Sequence, residues 1–289
     1  MDDWKTLIGN LHTWKRGKQR AVHKPLLTLL LLARAQQGQS NQVSYEEVDG
    51  PMHQALVNFA PPRKKVQTFY PFWHLQTDGF WKVLNADQIP DSPTRGKLLH
   101  HHAIGMVPAK LWAQLGKHQH LIPELSQQLL DDFWPDTYHD DIRSFFGLDE
   151  MTTSISKRKR DPRFRDSVML AYEHRCAICG FDGRLGNSSV GLEAAHIKFH
   201  TDGGPDVVPN GLALCALHHK LFDRGALGLE PEKNIILVSK LLIGHDTVAD
   251  VCLRYKNKPI RSPQDPIGSP KPDFVRWHRK NVFQEPARV

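Results

Sequence analysis

Three stretches, CAICG (176–180), LEAAHI (192–197) and PNGLALCALHHKLFDRG (209–225), decide the fold of the C-terminal half of this 289-residue chain. Cys176 and Cys179 form a C-x2-C clip beside Gly180, and Cys215 and His218 form a C-x2-H clip, Cys215 lying 36 positions after Cys179. Two such clips close a tetrahedral zinc site, and because protein fills all four positions the metal is structural. The remaining cysteine, Cys252, lies in VADVCLRY (248–255), a mostly apolar, strand-like run in which it reads as a buried thiol. His218 is therefore taken as the fourth ligand. A framework disulfide suits the C-x2-C spacing poorly, and no signal-peptide pattern precedes these cysteines.

With zinc confined to a structural role, other histidines are available for chemistry. The apolar, β-favouring run ending at His196 predicts a strand, and an imidazole at its end can take a proton from a water lying against a phosphate. Asn210 follows after the loop KFHTDGGPDVVP (198–209) and directly precedes a second short strand, GLALC. Its amide is suited to holding the base region or the metal-binding loop in place. His219 opens a helix and is expected to project beside His196, where it can hold a divalent ion, Mg2+ or Mn2+, against charge developing on a leaving oxygen. The chain has 17 histidines, and most such residues are ordinary surface or core positions. The order His, Asn, His framed by two zinc clips is what singles these out.

On these residues the segment 161–239 resembles the cysteine-containing branch of the HNH endonuclease family, whose fold is ββα-metal. The resemblance implies His196 as general base, Asn210 as the middle residue and His219 as the ligand of the catalytic ion. One departure is visible. Many members carry Asp immediately before the base histidine, whereas this chain has Ala195. Glu193 or Asp223 would have to substitute, although Glu193 also reads as a strand-face carboxylate and Asp223 as a helix-end residue paired with Arg224.

Lys and Arg number 38 against 31 acidic residues, giving a net charge of +7 and a pI near 9.2, so a polyanionic partner gains from counterion release. The charge falls in clusters, KRGKQR (15–20), PRKK (62–65) and KRKRDPRFR (157–165); each could be a solvated face, and KRKR a simple linker, but at least two of them read as phosphate contacts. The longest apolar run, PLLTLLLLA (25–33), is too short to span a membrane and reads as a buried helix. A polar and then basic stretch, LDEMTTSISKRKRDP (148–162), separates two apolar-patterned regions. The expected organisation is a first domain over 1–150, a basic linker over 151–165 and a second domain over 166–289, in a soluble, cytoplasmic protein.

In the N-terminal half, WKTLIGNLHTWKR, HKPLLTLLLLARAQQG and PMHQALVNFA have helical spacing, with Pro25 in a first turn and Gly38 as a stop. VPAKLWAQL, PELSQQLLDDFW and HDDIRSFFG also read as helices. FYPFWHLQTDGFWKVL (69–84) reads as a β-hairpin turning at Thr77, Asp78 and Gly79. The predicted fold class is α+β: an N-terminal helical, winged-helix-like domain with a hairpin, followed by a zinc-stabilised ββα-metal domain.

HKPLLTLLLL together with FYPFWHLQTDGFW resembles the sulfur-binding domain found fused to HNH nucleases, which recognises phosphorothioate DNA. By that resemblance Tyr70 and Pro71 line a sulfur pocket, while His23, Lys24 and Arg95 contact the neighbouring backbone or base edges. The chemistry is coherent: sulfur is larger, softer and less hydrated than the oxygen it replaces, and an apolar pocket accepts it better. The expected function is a modification-dependent restriction endonuclease acting on phosphorothioate-modified double-stranded DNA, with a homodimer as one route to cutting both strands. Two rivals are a nuclease that reads methylcytosine by base flipping and a non-catalytic zinc DNA-binding regulator whose site has been lost with the Asp at Ala195.

Overall fold

The computed structural model describes residues 4–16, 19–86, 89, 93–148, 162–186 and 188–288. The chain divides into two compact units, Met1–Ser156 and Lys157–Val289. Most of the stretch read as a basic linker, including KRKR (157–160), lies outside the described residues. Its last residues, Pro162 to Arg165, form the first turn of a helix. Among the described residues no helix is long and apolar enough to cross a membrane.

The first unit is mainly helical. Its elements are α1 (Trp4–Gly9), a small ladder β1 (Lys15–Arg16) and β2 (Gln19–Arg20), α2 (His23–Gln36), β3 (Gln42–Ser44), α3 (Tyr45–Phe59), α4 (Phe69–His74), β4 (Lys82–Leu84), α5 (Arg95–His100), β5 (Ile104–Met106), α6 (Ala109–Lys117), α7 (Leu121–Phe133) and α8 (Asp136–Phe146). α2 is central, burying every residue from Pro25 to Ala33. Pro25 sits in its first turn, where a missing N–H costs nothing. Ser44 and Glu47 cap α3 reciprocally, and Gly147, in the left-handed region, ends α8.

The predicted hairpin is replaced. Residues 69–74 are helical, 75–78 form a 3-10 turn, and Gly79 caps that turn at φ 81°. Pro71 falls in the first turn of α4, and the rings pair at helical spacing, with Tyr70 stacked on His74 at 5.3 Å. The β-like aromatic content is thus explained by a helix that turns Phe72 fully into the core. β4 pairs with β5 in an antiparallel three-stranded sheet of order β3-β5-β4. Trp81, beside β4, donates its indole N–H to the Phe72 carbonyl at 2.7 Å and so fixes α4 to the sheet. Gly105 makes that possible, because a Cβ there would lie 1.8 Å from the Trp81 ring.

The second unit contains α9 (Pro162–Ala171), β6 (Arg184–Leu185), β7 (Ser188–Ser189), β8 (Leu192–His196), β9 (Gly211–Cys215), α10 (Ala216–Asp223), β10 (Leu227–Leu229), β11 (Ile236–Val238), α11 (Asp246–Val251) and α12 (Pro272–Asn281). β8 and β9 pair antiparallel from Leu192↔Cys215 to His196↔Gly211, and α10 follows directly. Their shared core includes Phe164, Val168, Leu212, Leu214 and Phe222. VADVCLRY is not a strand: α11 and a 3-10 turn (Leu253–Tyr255) occupy it, while Cys252 is a buried free thiol. The mostly apolar run suggests a strand, but its positions Val248, Val251 and Cys252 also fit one helical face.

α12 closes the unit through His278, whose ring stacks on Phe222 at 3.8 Å and bonds the Phe222 carbonyl at 3.0 Å through Nε2. Burial pulls the pKa of His278 from 6.5 down to about 4. The unfolded chain therefore binds this proton more readily, and stability present above pH 6.5 is lost as the pH falls towards 4. The loss attributable to His278 is expected to be roughly 3 kcal/mol. Urea titrations of the C-terminal unit from pH 7 to pH 4 check this, and His278→Phe should flatten the slope; an unaltered slope refutes the assignment.

Candidate nuclease centre and pocket

β9 and α10 carry the second clip, and the turn after α9 carries the first. Cys176, Cys179, Cys215 and His218 bring one ligand atom each within 4.8 Å of one another, the one group among the described residues with such a geometry. The Cys179 and Cys215 sulfurs lie 4.0 Å apart, and His218 Nδ1 lies 3.2 Å from Cys215 Sγ and 3.6 Å from Cys176 Sγ. Ligands at about 2.3 Å (sulfur) and 2.0 Å (nitrogen) from a tetrahedral zinc stand roughly this far apart, so the donor set is compatible with zinc. His218 donates Nε2–H to the Val251 carbonyl at 2.7 Å, which fixes Nδ1 as the ligating nitrogen. Cys252 is not in the group.

His196 ends β8. Its ring stacks on Phe164 of α9 at 4.1 Å and 16°, and its Nε2 lies 2.8 Å from Asp206 Oδ1. Gly211, its partner in the ladder, lets α9 approach: a Cβ there would lie 2.5 Å from Val168. Asn210 is fully buried. Its Oδ1 accepts from the Lys198 N–H at 2.9 Å, and its Nδ2 donates to the carbonyls of Lys198 and Pro205 at 3.0 Å each. The amide therefore ties together the two ends of the loop that follows His196.

His219 is buried in α10 between two carboxylates. Nδ1 lies 2.6 Å from Glu193 of β8, and Nε2 lies 3.2 Å from Asp223 one turn along the helix. Burial alone would lower the pKa of this imidazole, but Asp223 and Glu193 outweigh it and push it up to about 10. Asp223 is itself buried, whereas Glu193 is half exposed, so the two carboxylates differ in their access to an ion. Ala195 is fully buried in the core and offers no ligand.

The first unit holds a cavity of about 640 Å3 between the N-terminal end of α2 and α4. It brings together four of the residues singled out in the sequence, His23, Lys24, Tyr70 and Pro71, and adds Trp14, Arg63, Lys65 and His74. Lys24 bonds Thr77 at 2.9 Å and Asp78 at 2.6 Å, and Asp78, only 1% exposed in its side chain, also pairs with His12. Burial, and then the charge of Arg63, bring the pKa of His23 to about 4, so its ring is neutral near pH 7. Arg95 is not brought to the cavity. It begins α5 and pairs with Asp49 at 2.6 Å, in a network with Tyr45 and Thr68. Arg63 and Lys65 belong to the basic cluster noted above, which was a usable signal. His74 was missed because in a strand it would lie about 13 Å along from Tyr70, on the same face but out of contact, whereas the helix brings it one turn away.

The β8-β9-α10 core thus carries a Cys3His cluster, with His196 at the strand end and His219 on the helix. Residues 176–230 match the HNH endonuclease family. Residues 2–151 match the ScoMcrA-like DNA sulfur-binding domain family, and the chain belongs to that family. Similar solved structures include the sulfur-binding domain of ScoMcrA complexed with phosphorothioated DNA, at 17% identity and a TM-score of 0.45, covering 51% of this chain and 97% of that one. The sulfur-binding domain of SprMcrA complexed with phosphorothioated DNA gives 16% identity and 0.45, covering 51% and 95%. The modification-dependent TagI restriction endonuclease gives 23% identity and 0.32, covering 47% and 46%. No curated protein matches the chain.

Proposed function

We propose that this protein is a modification-dependent restriction endonuclease that binds phosphorothioate-modified double-stranded DNA through its N-terminal unit and hydrolyses nearby phosphodiester bonds with its C-terminal unit. The observation that carries the reading is the cavity uniting Tyr70 and Pro71 with His23 and Lys24, in a chain that also belongs to the sulfur-binding family. Domain limits at 1–150 and 166–289, joined by a basic linker over 151–165, suit this division of labour. The neutral His23 ring offers hydrogen bonds to a base edge or sugar instead of a charge. Lys24, Arg63 and Lys65 make the wall cationic, and Arg95 serves outside the pocket, where its guanidinium is half committed to Asp49. A winged-helix-like placement of α2 and α4 against DNA is the matching docking mode.

In the nuclease unit, His196 removes a proton from the attacking water and Asn210 holds the loop that keeps it in place. Cys176, Cys179, Cys215 and His218 would hold a structural Zn2+. Glu193 and Nδ1 of His219 lie side by side and would hold the catalytic ion. Asp223, on the far ring nitrogen, orients the imidazole, the usual carboxylate–histidine–metal arrangement. The carboxylate oxygen of Glu193 suits Mg2+ or Mn2+, which when bound would supply charge neutralisation at the leaving 3′ oxygen. The products are 5′ phosphate and 3′ hydroxyl ends. One centre cuts one strand, so a double-strand break requires a homodimer or two sequential nicks. The site of action is the cytoplasm, where the DNA lies.

Nicking of plasmids with and without phosphorothioate, in the presence and absence of Mg2+ or Mn2+, tests the whole reading. Cleavage of both plasmids alike, or of a methylcytosine plasmid alone, refutes the sulfur assignment; no cleavage of any plasmid leaves a zinc DNA-binding regulator. At residue level, Pro71→Ser and Tyr70→Ala are each expected to weaken binding to a duplex with one stereodefined phosphorothioate by about 1–2 kcal/mol, the worth of one or two buried methylenes. Binding to the unmodified duplex should stay unchanged, since a hydrated oxygen gains nothing from apolar contact. Competition binding measures the difference, and equal losses on both duplexes count against the pocket.

A further inference from the structure

The pairing of His196 with Asp206 has no part in the roles assigned so far. We propose that Asp206 is a positioning residue that holds His196 as its Nε2–H tautomer, so that Nδ1 is the nitrogen that takes the proton from water. The proposal rests on the reading of His196 as general base.

Three observations support it. First, the contact is short and specific: Asp206 Oδ1 lies 2.8 Å from Nε2. An ionised carboxylate can only accept, so the ring proton is on Nε2 and the lone pair on Nδ1. Second, the ring is not left to rotate. Phe164 stacks on its face at 4.1 Å, which leaves the edge carrying Nε2 directed at the loop. Third, the loop is built to deliver Asp206. Asn210 donates to the carbonyl of Pro205, the residue just before it, and to that of Lys198, two residues beyond His196. Gly204 lets the strands of this loop touch: a Cβ would lie 1.8 Å from the Lys198 carbonyl oxygen and 2.8 Å from Asn210 Nδ2. The buried Asn210 amide thus braces both the residues after His196 and the turn before Asp206, and the middle residue of the His-Asn-His order acts in part by placing a carboxylate.

The water O–H bond breaks with its electron pair staying on oxygen, Nδ1–H forms, the oxygen attacks phosphorus, and the P–O bond to the 3′ oxygen breaks with its pair leaving on that oxygen. His196 becomes an imidazolium, and the Asp206 carboxylate stabilises the new charge.

Ring 15N spectra of His196 in the zinc-loaded full-length protein report the tautomer without any cleavage, and the expected signature is a protonated Nε2 with a bare Nδ1. In Asp206→Asn the amide can donate as well as accept, so the signature should shift towards the Nδ1–H form. Single-turnover nicking of plasmid with Mn2+ should fall by roughly 10²-fold in this variant, with DNA affinity and zinc content unchanged, and should not recover at higher Mn2+. A wild-type ring protonated on Nδ1 overturns the proposal, as does an Asp206→Asn enzyme that cuts at the wild-type rate. Recovery at higher Mn2+ also overturns it, because Asp206 would then be a metal ligand. His196→Ala cutting at the wild-type rate would be a different failure, that of the base itself.

Discussion

Replacing His196 by alanine is expected to slow metal-dependent cleavage by about 10²–10⁴-fold, the range a positioned general base supplies, while DNA affinity stays as it was. The ring sits at a strand end, partly exposed and held on two sides, by Phe164 stacking at 4.1 Å and by Asp206 at 2.8 Å. Removing it deletes the proposed proton acceptor and alters no residue of the first unit's cavity, and most binding energy to a duplex comes from phosphate contacts. Ala195 and the strand pairing of β8 with β9 remain to hold the fold. Rapid-quench single-turnover kinetics beside equilibrium binding separate the two effects. An unchanged rate would place the chemistry at another residue, with the His219 region the first to examine.

Cys179→Ala, or exhaustive chelation, is expected to unfold the C-terminal unit and spare the N-terminal one. A closed structural zinc contributes an apparent 10–16 kcal/mol, as large as or larger than the roughly 5–15 kcal/mol by which a domain is stable. The cluster joins the turn after α9 to β9 and α10, so its loss opens the core that contains Leu214 and Phe222. The N-terminal unit has its own core around α2 and should keep its DNA binding. Elemental analysis should find about one zinc per chain, and amide exchange read separately over the two units locates the damage. A metal-free protein with a protected, active C-terminal unit would remove the zinc from the account.

The ligand clips and the strand, strand, helix order were legible because metal-ligand spacing and directly adjoining elements leave little freedom: Cys215 must close β9 if His218 is to sit on the next helix. The long α2 was equally plain from its apolar run. The segment 69–74 misled because Phe, Tyr and Trp favour strands in general, whereas here their i, i+3 and i, i+4 spacing, with Pro71 in a first turn, was the stronger signal. Cys252 lay in a run too short for one period to exclude the other. Asp206 and Asp78 could not be read at all. Each is an acidic residue in a loop, and its importance comes from a partner, His196 or Lys24, brought to it by folding and not by spacing. The fate of Arg95, paired with Asp49, was hidden for the same reason.

The hydrogen bond from His218 to the Val251 carbonyl bears on what can be moved between proteins. The matched HNH segment stops at residue 230, yet the nitrogen that faces the cysteine sulfurs is set by a carbonyl at position 251, and α10 is covered by His278 from α12. A graft of the matched segment alone would carry all four cluster residues together with His196 and His219, but would leave His218 without its orienting partner and one face of the helix bare. The smallest portable nuclease in this protein is therefore the whole C-terminal unit, and shuffling this cutting activity onto a new reader requires the chain through α12 to travel with it.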